Sequence, residues 1–135
     1  MNLDLSYSNS EFTCWDFSSG EQVPYPVIPV LVLNMRKEIS INVDLKVDTG
    51  FNGVIGLTQT YINDLQLQDR GTTRVISAMG QGTLEFYEIE FSIPNTTFTE
   101  LKAIAIKTPR PLIGRTILNL GSWLYDGKAE KLCLI

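Results

Sequence analysis

The most constraining feature of this 135-residue chain is a run of alternation that ends in a glycine turn. Ile39, Ile41, Val43, Leu45 and Val47 alternate with Ser40, Asn42, Asp44, Lys46 and Asp48. A period of two puts successive side chains on opposite faces of a strand, so the apolar set faces a core and the polar set faces away. Asp48 belongs to the polar set, at the strand's exit. Thr49 follows, and Gly50 admits backbone conformations closed to other residues. "NGVIGL" then turns apolar again at once. An aspartate in such a place is either a turn residue satisfied by local amides or a carboxylate held at a fixed angle for chemistry.

The rest of the chain reads as further short strands. Residues 1 to about 26 are polar and aromatic in turn, and the prolines of "VPYPVIP" make an extended segment rather than a regular element. Val27 to Leu33 reads as the first strand, with "NMRKE" as the turn after it. Beyond "NGVIGL", Thr58 is placed to cap a short helix with Ile62 and Leu65 on one face. "TTRVISAMGQGTLEFYEIEFSI" reads as two strands joined by a hairpin around Met79 to Gly82. In its second limb Leu84 and Phe86 fall on even positions, whereas Ile89, Phe91 and Ile93 fall on odd ones. Such a slip of phase calls for a bulge or for a strand buried on both faces. "TELKAIAIKT" is another strand, followed by Pro-Leu-Ile-Gly and a short helical pattern over Arg115 to Asn119. A strand over Ser122 to Tyr125, an Asp126-Gly127 turn and a last strand over Lys131 to Ile135 complete the chain. Short strands between turn signals, with only two short helices, predict an all-β fold, a small closed β-barrel. Residues 27–135 form that domain, and residues 1–26 an extended N-terminal segment.

Composition narrows the function classes. A net charge of −4 without any basic run argues against a nucleic-acid partner. No apolar run is long enough to cross a bilayer, so no membrane partner is expected. The start "MNLDLSYSNSEF" lacks the basic and apolar regions of a signal peptide, so a cytoplasmic location is expected. Cys14 and Cys133 fit no metal-binding or redox spacing and are expected to be reduced thiols. Histidine is absent, which removes Ser-His-Asp and Cys-His catalysis and His-ligated zinc. Proton transfer is left to carboxylates, Lys, Tyr and Cys.

Two segments carry a resemblance. "VDTGFNGVIGL" in the first half and "RPLIGRTILN" near the end together resemble the retroviral-type aspartic proteases, and most closely the small bacterial members of clan AA. The resemblance covers about residues 27 to 135. It implies a single-lobe retropepsin-like barrel with Asp48, Thr49 and Gly50 as the catalytic loop and Leu112-Ile113-Gly114-Arg115 as the late segment behind it. The hairpin residues Ala78, Met79 and Gly80 would then be a substrate-binding flap that closes over a peptide and excludes water; as residues they are equally a plain hairpin tip. Hydrolysis by this route uses two aspartates sharing one proton. The ionised one takes a proton from water, and the protonated one polarises the scissile carbonyl. Neither a metal nor a cofactor is called for.

Only Asp48 sits in such a loop, because Asp4, Asp16, Asp44, Asp64, Asp69 and Asp126 lack a Ser/Thr-Gly sequel. The resemblance therefore implies a C2 homodimer with Asp48 of each copy at the axis, acting as an aspartic endopeptidase on a protein or peptide substrate. Two alternatives stand beside it: a non-catalytic peptide-binding or regulatory module on the same fold, and an interaction domain whose function lies in the N-terminal segment. That segment would cover the cleft, mask the dimer edge or bind a partner. By the same resemblance Thr49 bonds across the axis and Phe51 faces the carboxylates. Arg115 is expected to be a structural ion-pair residue, and Trp123, Tyr125 and Leu132 core residues. Cys133 is expected to be a small buried residue, or part of the dimer interface if the terminal strands pair as in the viral enzymes.

Overall fold

A computed structural model of the chain describes residues 12–77 and 80–135. Its elements in chain order are β1 (Thr13–Asp16), β2 (Val27–Asn34), β3 (Ser40–Val47), β4 (Ile55–Leu57), α1 (Gln59–Asp64) and β5 (Asp69–Ser77). There follow β6 (Gly80–Ser92), β7 (Leu101–Lys107), β8 (Leu112–Ile113), α2 (Arg115–Leu118), β9 (Trp123–Asp126) and β10 (Lys131–Leu134). Six strands close into a barrel in the order β2-β3-β8-β4-β7-β6, with β6 returning to pair with β2. The all-β barrel with two short helices is the architecture the turn and strand signals predict.

The alternation of β3 is the wall of this barrel. Val43 and Leu45 are buried, whereas Asn42 and Asp44 are exposed. From β2, Ile28, Val30 and Val32 point the same way, and Ile55, Leu57, Ile89, Phe91, Ile93 and Ile113 fill the space from the other strands. Burying each such side chain contributes about 1.5–3 kcal/mol. Pro29 is tolerated in β2 because β6 pairs only with Leu31–Asn34, leaving that edge of Pro29 without a ladder to break. The turn after β2 is organised by buried Asn34, whose side chain donates to the Leu65 carbonyl at 3.3 Å and accepts from the Glu38 N–H at 3.0 Å. Thr58 takes the N-cap position of α1 but makes no side-chain capping bond, and Ile62 and Leu65 are buried as their spacing requires.

The phase slip in β6 marks a change of partner. Residues 89–92 pair with β2 inside the barrel, whereas residues 80–87 pair with β5 in a hairpin attached to it. The bulge lies in β5, between Asp69 and Thr72, and not in β6. At its centre Gly71 has φ +141°, its N–H bonds the Asp69 carboxylate at 2.8 Å, and the Phe86 ring lies where a Cβ would be. Gly80, Gln81 and Gly82, expected at the hairpin tip, belong to β6 and pair with Ser77, Ile76 and Val75.

A second sheet holds the chain's ends, in the order β1-β10-β9. The sequence shows no regular element before Val27, yet Thr13–Asp16 form a strand that is antiparallel to β10. Cys14 stands directly opposite Cys133, with 4.0 Å between their Cα atoms, and the two form a disulfide. The expectation of reduced thiols is thereby corrected. Spacing rules see neighbours in sequence, whereas this pair is 119 residues apart and is brought together by strand register alone. Both edges of β10 are occupied within the chain, so it offers no edge to another molecule. Leu132 is buried and Trp123 half-buried, but Tyr125, expected in the core, is 62% exposed at the outer strand. Among the described residues, no helix is long and apolar enough to cross a membrane.

Candidate functional site

The position of Asp48 follows from where β8 inserts. This two-residue strand runs parallel to β3 (Val47 beside Ile113) and antiparallel to β4 (Ile55 beside Ile113), so it lies between them. Residues 48–54 must therefore pass around its end. The Asp48 N–H donates to the Ile113 carbonyl at 3.0 Å, and the Phe51 N–H closes the turn on the Asp48 carbonyl at 3.1 Å. Further round, the Gly114 N–H donates to the Val54 carbonyl at 3.0 Å and the Arg115 N–H to the Phe51 carbonyl at 2.9 Å. The Thr116 hydroxyl donates to the Asn52 carbonyl at 2.9 Å. The late "LIGRT" is thus the clamp that fixes the loop carrying Asp48.

Two glycines in this clamp are required sterically. A Cβ on Gly114 would meet the Gly53 carbonyl oxygen and lie 2.7 Å from that of Phe51. A Cβ on Gly53 would lie 2.5 Å from the Phe51 ring, which packs over both glycines. Phe51 therefore has a structural task in the loop, whatever it faces beyond it.

The carboxylate itself is half-buried, while Thr49 and Gly50 are exposed. Gly50 N–H donates to Asp48 Oδ1 at 2.9 Å. Among the described residues no donor reaches Oδ2. One oxygen is held and the other is presented, which is the local requirement for a base whose partner comes from elsewhere. Beside the loop, Val47 and Thr49 share an open cavity of about 430 Å³ with Leu118, Trp123, Tyr125 and Leu132, and no charged side chain lines it.

The expected flap falls partly outside the described residues. Ala78 and Met79 are not among them, and Gly80 opens β6 opposite Ser77. Arg115 is exposed and meets no carboxylate among the described residues, so the expected ion pair is absent there. Thr116 and Asn52 lie inside the two motifs, but the bond between them is not legible in the sequence. Their signal was the Thr one residue past Arg115, which reads as ordinary helix until the loop is seen beneath it.

A different ionic cluster was also missed. Glu21 reaches back from the N-terminal segment to Lys46 at 3.2 Å and to Arg110. The hydrogen bond from Lys46, and then that from Arg110, holds the Glu21 carboxyl below its usual range. Lys46 also lies 4.7 Å from the centre of the Tyr25 ring. The segment is thereby strapped to β3 two residues before Asp48.

The sequence matches no protein-family model and no curated protein. The fold has a solved counterpart: an EIAV protease in complex with the inhibitor HBY-793 superposes with a TM-score of 0.52 at 19% identity, over 76% of this chain and 93% of that one. The architecture is therefore retropepsin-like, that of a retroviral aspartic protease. Identity at this level speaks for the fold alone.

Proposed function

We propose that the chain is an aspartic endopeptidase that works as a homodimer, with Asp48 of each copy forming the catalytic dyad. The observation that carries this reading is the Asp48 carboxylate: one oxygen bound to the Gly50 N–H, the other presented, on a loop clamped by Gly114 and Thr116. With one proton shared by the pair, the ionised carboxylate takes a proton from water, and the resulting nucleophile attacks a peptide carbonyl polarised by the protonated partner. Thr49 would bond across the axis, and the hairpin at Ala78, Met79 and Gly80 would close over the peptide. The test is Asp48→Asn, which keeps shape and most local bonds but cannot accept water's proton. Hydrolysis of a peptide library should fall by at least about a thousandfold with the fold unchanged. A pepstatin-type transition-state analogue should bind the wild type and not the variant. Undiminished hydrolysis in Asp48→Asn would remove the assignment.

A second reading has one observation in its favour. Both edges of β10 are filled within the chain, so β10 itself offers no strand pairing to a second copy. A monomeric, non-catalytic peptide-binding module fits that fact, and sedimentation of the wild type separates the two. The disulfide bears on compartment as well. Such bonds persist where thiols stay oxidised and are rare in the cytosol, so a cytoplasmic chain would work with Cys14 and Cys133 reduced.

A further inference from the structure

We propose that Lys46 and Arg110 form a subsite for an acidic side chain of the bound peptide, and that Glu21 of the chain's own N-terminal segment holds this subsite as an internal competitor. This rests on the dyad reading for where the peptide lies. The polar face of β3 carries the first cation. The Lys46 N–H donates to the Pro111 carbonyl at 3.0 Å, and the Asp48 N–H to the Ile113 carbonyl at 3.0 Å. The alternation of β3 therefore runs on through Asp48, and alternate residues share a face. Lys46 and Asp48 stand on that face about 7 Å apart, two steps of about 3.3 Å.

The second cation comes from the neighbouring chain segment. Lys46 is in register with Leu112 of β8, and Arg110 stands two residues before Leu112. Both cations converge on one carboxylate. Lys46 Nζ lies 3.2 Å from each Glu21 oxygen, and Arg110 Nη1 donates to Glu21 Oε1. They line a cavity of about 310 Å³ with Ser18, Tyr25 and Asp44. Among the described residues Asp44 makes no ion pair with either cation. With Glu21 withdrawn, two cations would face a single carboxylate, and the cavity would attract a second one.

The present occupant sits on a loop tip. Ser18 and Tyr25 are bridged by backbone bonds of 2.9 and 3.1 Å, and residues 19–23 beyond that bridge are exposed. Glu21 ties this tip to the barrel through ion pairs that are themselves exposed, and exposed pairs are individually weak. A like group can displace them. An extended peptide rises along its length as β3 does, so its carboxylate would reach Lys46 and Arg110 within about two residues of the bond held at Asp48. Charge-assisted bonds favour that carboxylate over its amide counterpart.

The experiment uses the full-length, disulfide-intact protein and two labelled peptides, SSGEQVPY (the chain's own residues 18–25) and SSGQQVPY. A tethered competitor at high effective concentration raises the apparent Kd of an external ligand. Glu21→Gln should therefore bind SSGEQVPY at least about threefold more tightly than the wild type does, and at least about threefold more tightly than it binds SSGQQVPY. Lys46→Gln or Arg110→Gln, added to Glu21→Gln, should erase that discrimination with unchanged circular dichroism. High salt should shrink it. In a second arm Glu21→Gln is given a peptide library and the products are sequenced. Glu should be enriched over Gln by at least about threefold within about two residues of the cleaved bond. Equal binding of the two labelled peptides by Glu21→Gln overturns the subsite. Discrimination in binding without Glu enrichment among the products places the acid site off the peptide's path and overturns it as a substrate subsite, with the dyad untouched. Discrimination in binding by a protein that hydrolyses no peptide leaves the acid site standing and removes the dyad reading.

Discussion

Gly114 is the residue on which the candidate site most depends, and the reason is steric. Its φ of −107° is ordinary, so no conformational argument demands glycine there. The demand comes from two backbone carbonyls, of Gly53 and Phe51, that occupy the space of a Cβ. Backbone atoms cannot rotate away as a flexible side chain does. Gly114→Ala is therefore expected to destabilise the fold by about 3 kcal/mol and to displace the Asp48 loop. Gly53→Ala meets the Phe51 ring instead, which has a χ rotation available, and should be the milder change. Urea unfolding of the two variants checks the order; equal midpoints would mean that the loop, and not the ring, gives way. Tyr87 offers a second residue-scale test. Its hydroxyl donates to Glu85 at 2.6 Å, and that bond, with burial, pushes the phenol up to about 12. A raised pKa stabilises the fold below the free phenol's value and loses that contribution as pH climbs through the raised one. Tyr87→Phe should be less stable than the wild type by about 1 kcal/mol at neutral pH, and the gap should narrow only above about pH 10. A gap that closes at neutral pH would show that the bond contributes nothing.

Among the elements, those with strong periodicity were legible and those defined by register were not. The alternation of residues 39–47 and the apolar runs of β2 and β7 declare themselves because each strand has a wet face or a full core face to record. β8 has two residues and no period at all, so "PLIG" was readable only through its resemblance to a known pattern. β1 escaped for a different reason. Trp15 within it and Phe17 just after it pack toward Trp123 and Tyr125, 6.4 and 5.1 Å away between ring centres, which is a long-range fact that no local window contains. The Asp48 loop was legible as a motif, whereas its clamp by Thr116 and Asn52 needed the pairing of β8 between β3 and β4. The disulfide belongs to this same class of information. Because it closes a loop of 119 residues, opening it with Cys14→Ser and Cys133→Ser together should lower stability by about 2–4 kcal/mol. The loss should fall on β1, which pairs with β10 alone. Amide exchange resolves the point: β1 should open while β2 and β3 stay protected, and a β1 still protected in the double variant would show that its backbone pairing suffices.

At the scale of the whole molecule, the N-terminal segment is bound at both ends of its described length. β1 lies on β10, and farther along the Ser18 and Tyr25 backbones bridge before Glu21 reaches Lys46 and Arg110. The segment therefore joins the terminal sheet to the strand that delivers Asp48. The β1 anchor carries an ion pair of its own, Asp16 with Lys131 at 2.6 Å, whereas in the second anchor the Glu21 carboxyl is held below its usual range. Glu21 is exposed, and its carboxyl is held below the usual 4.5 chiefly by the hydrogen bond from Lys46 and then by that from Arg110. A carboxyl depressed in the folded state adds stability that is present above its unfolded value and is lost as pH falls through the folded one. The window thus opens below 4.5 and leaves neutral pH untouched. Since the ions are exposed and screened by salt, the effect is local rather than global. Limited proteolysis between Ser18 and Tyr25 reads it. The wild type should resist cleavage at about pH 7 and lose that resistance toward about pH 3 under an acid-tolerant protease, while Glu21→Gln should be cut equally at both. High salt at neutral pH should move the wild type toward the variant. A segment that stays resistant in Glu21→Gln at neutral pH would assign its anchoring to β1 and the disulfide alone.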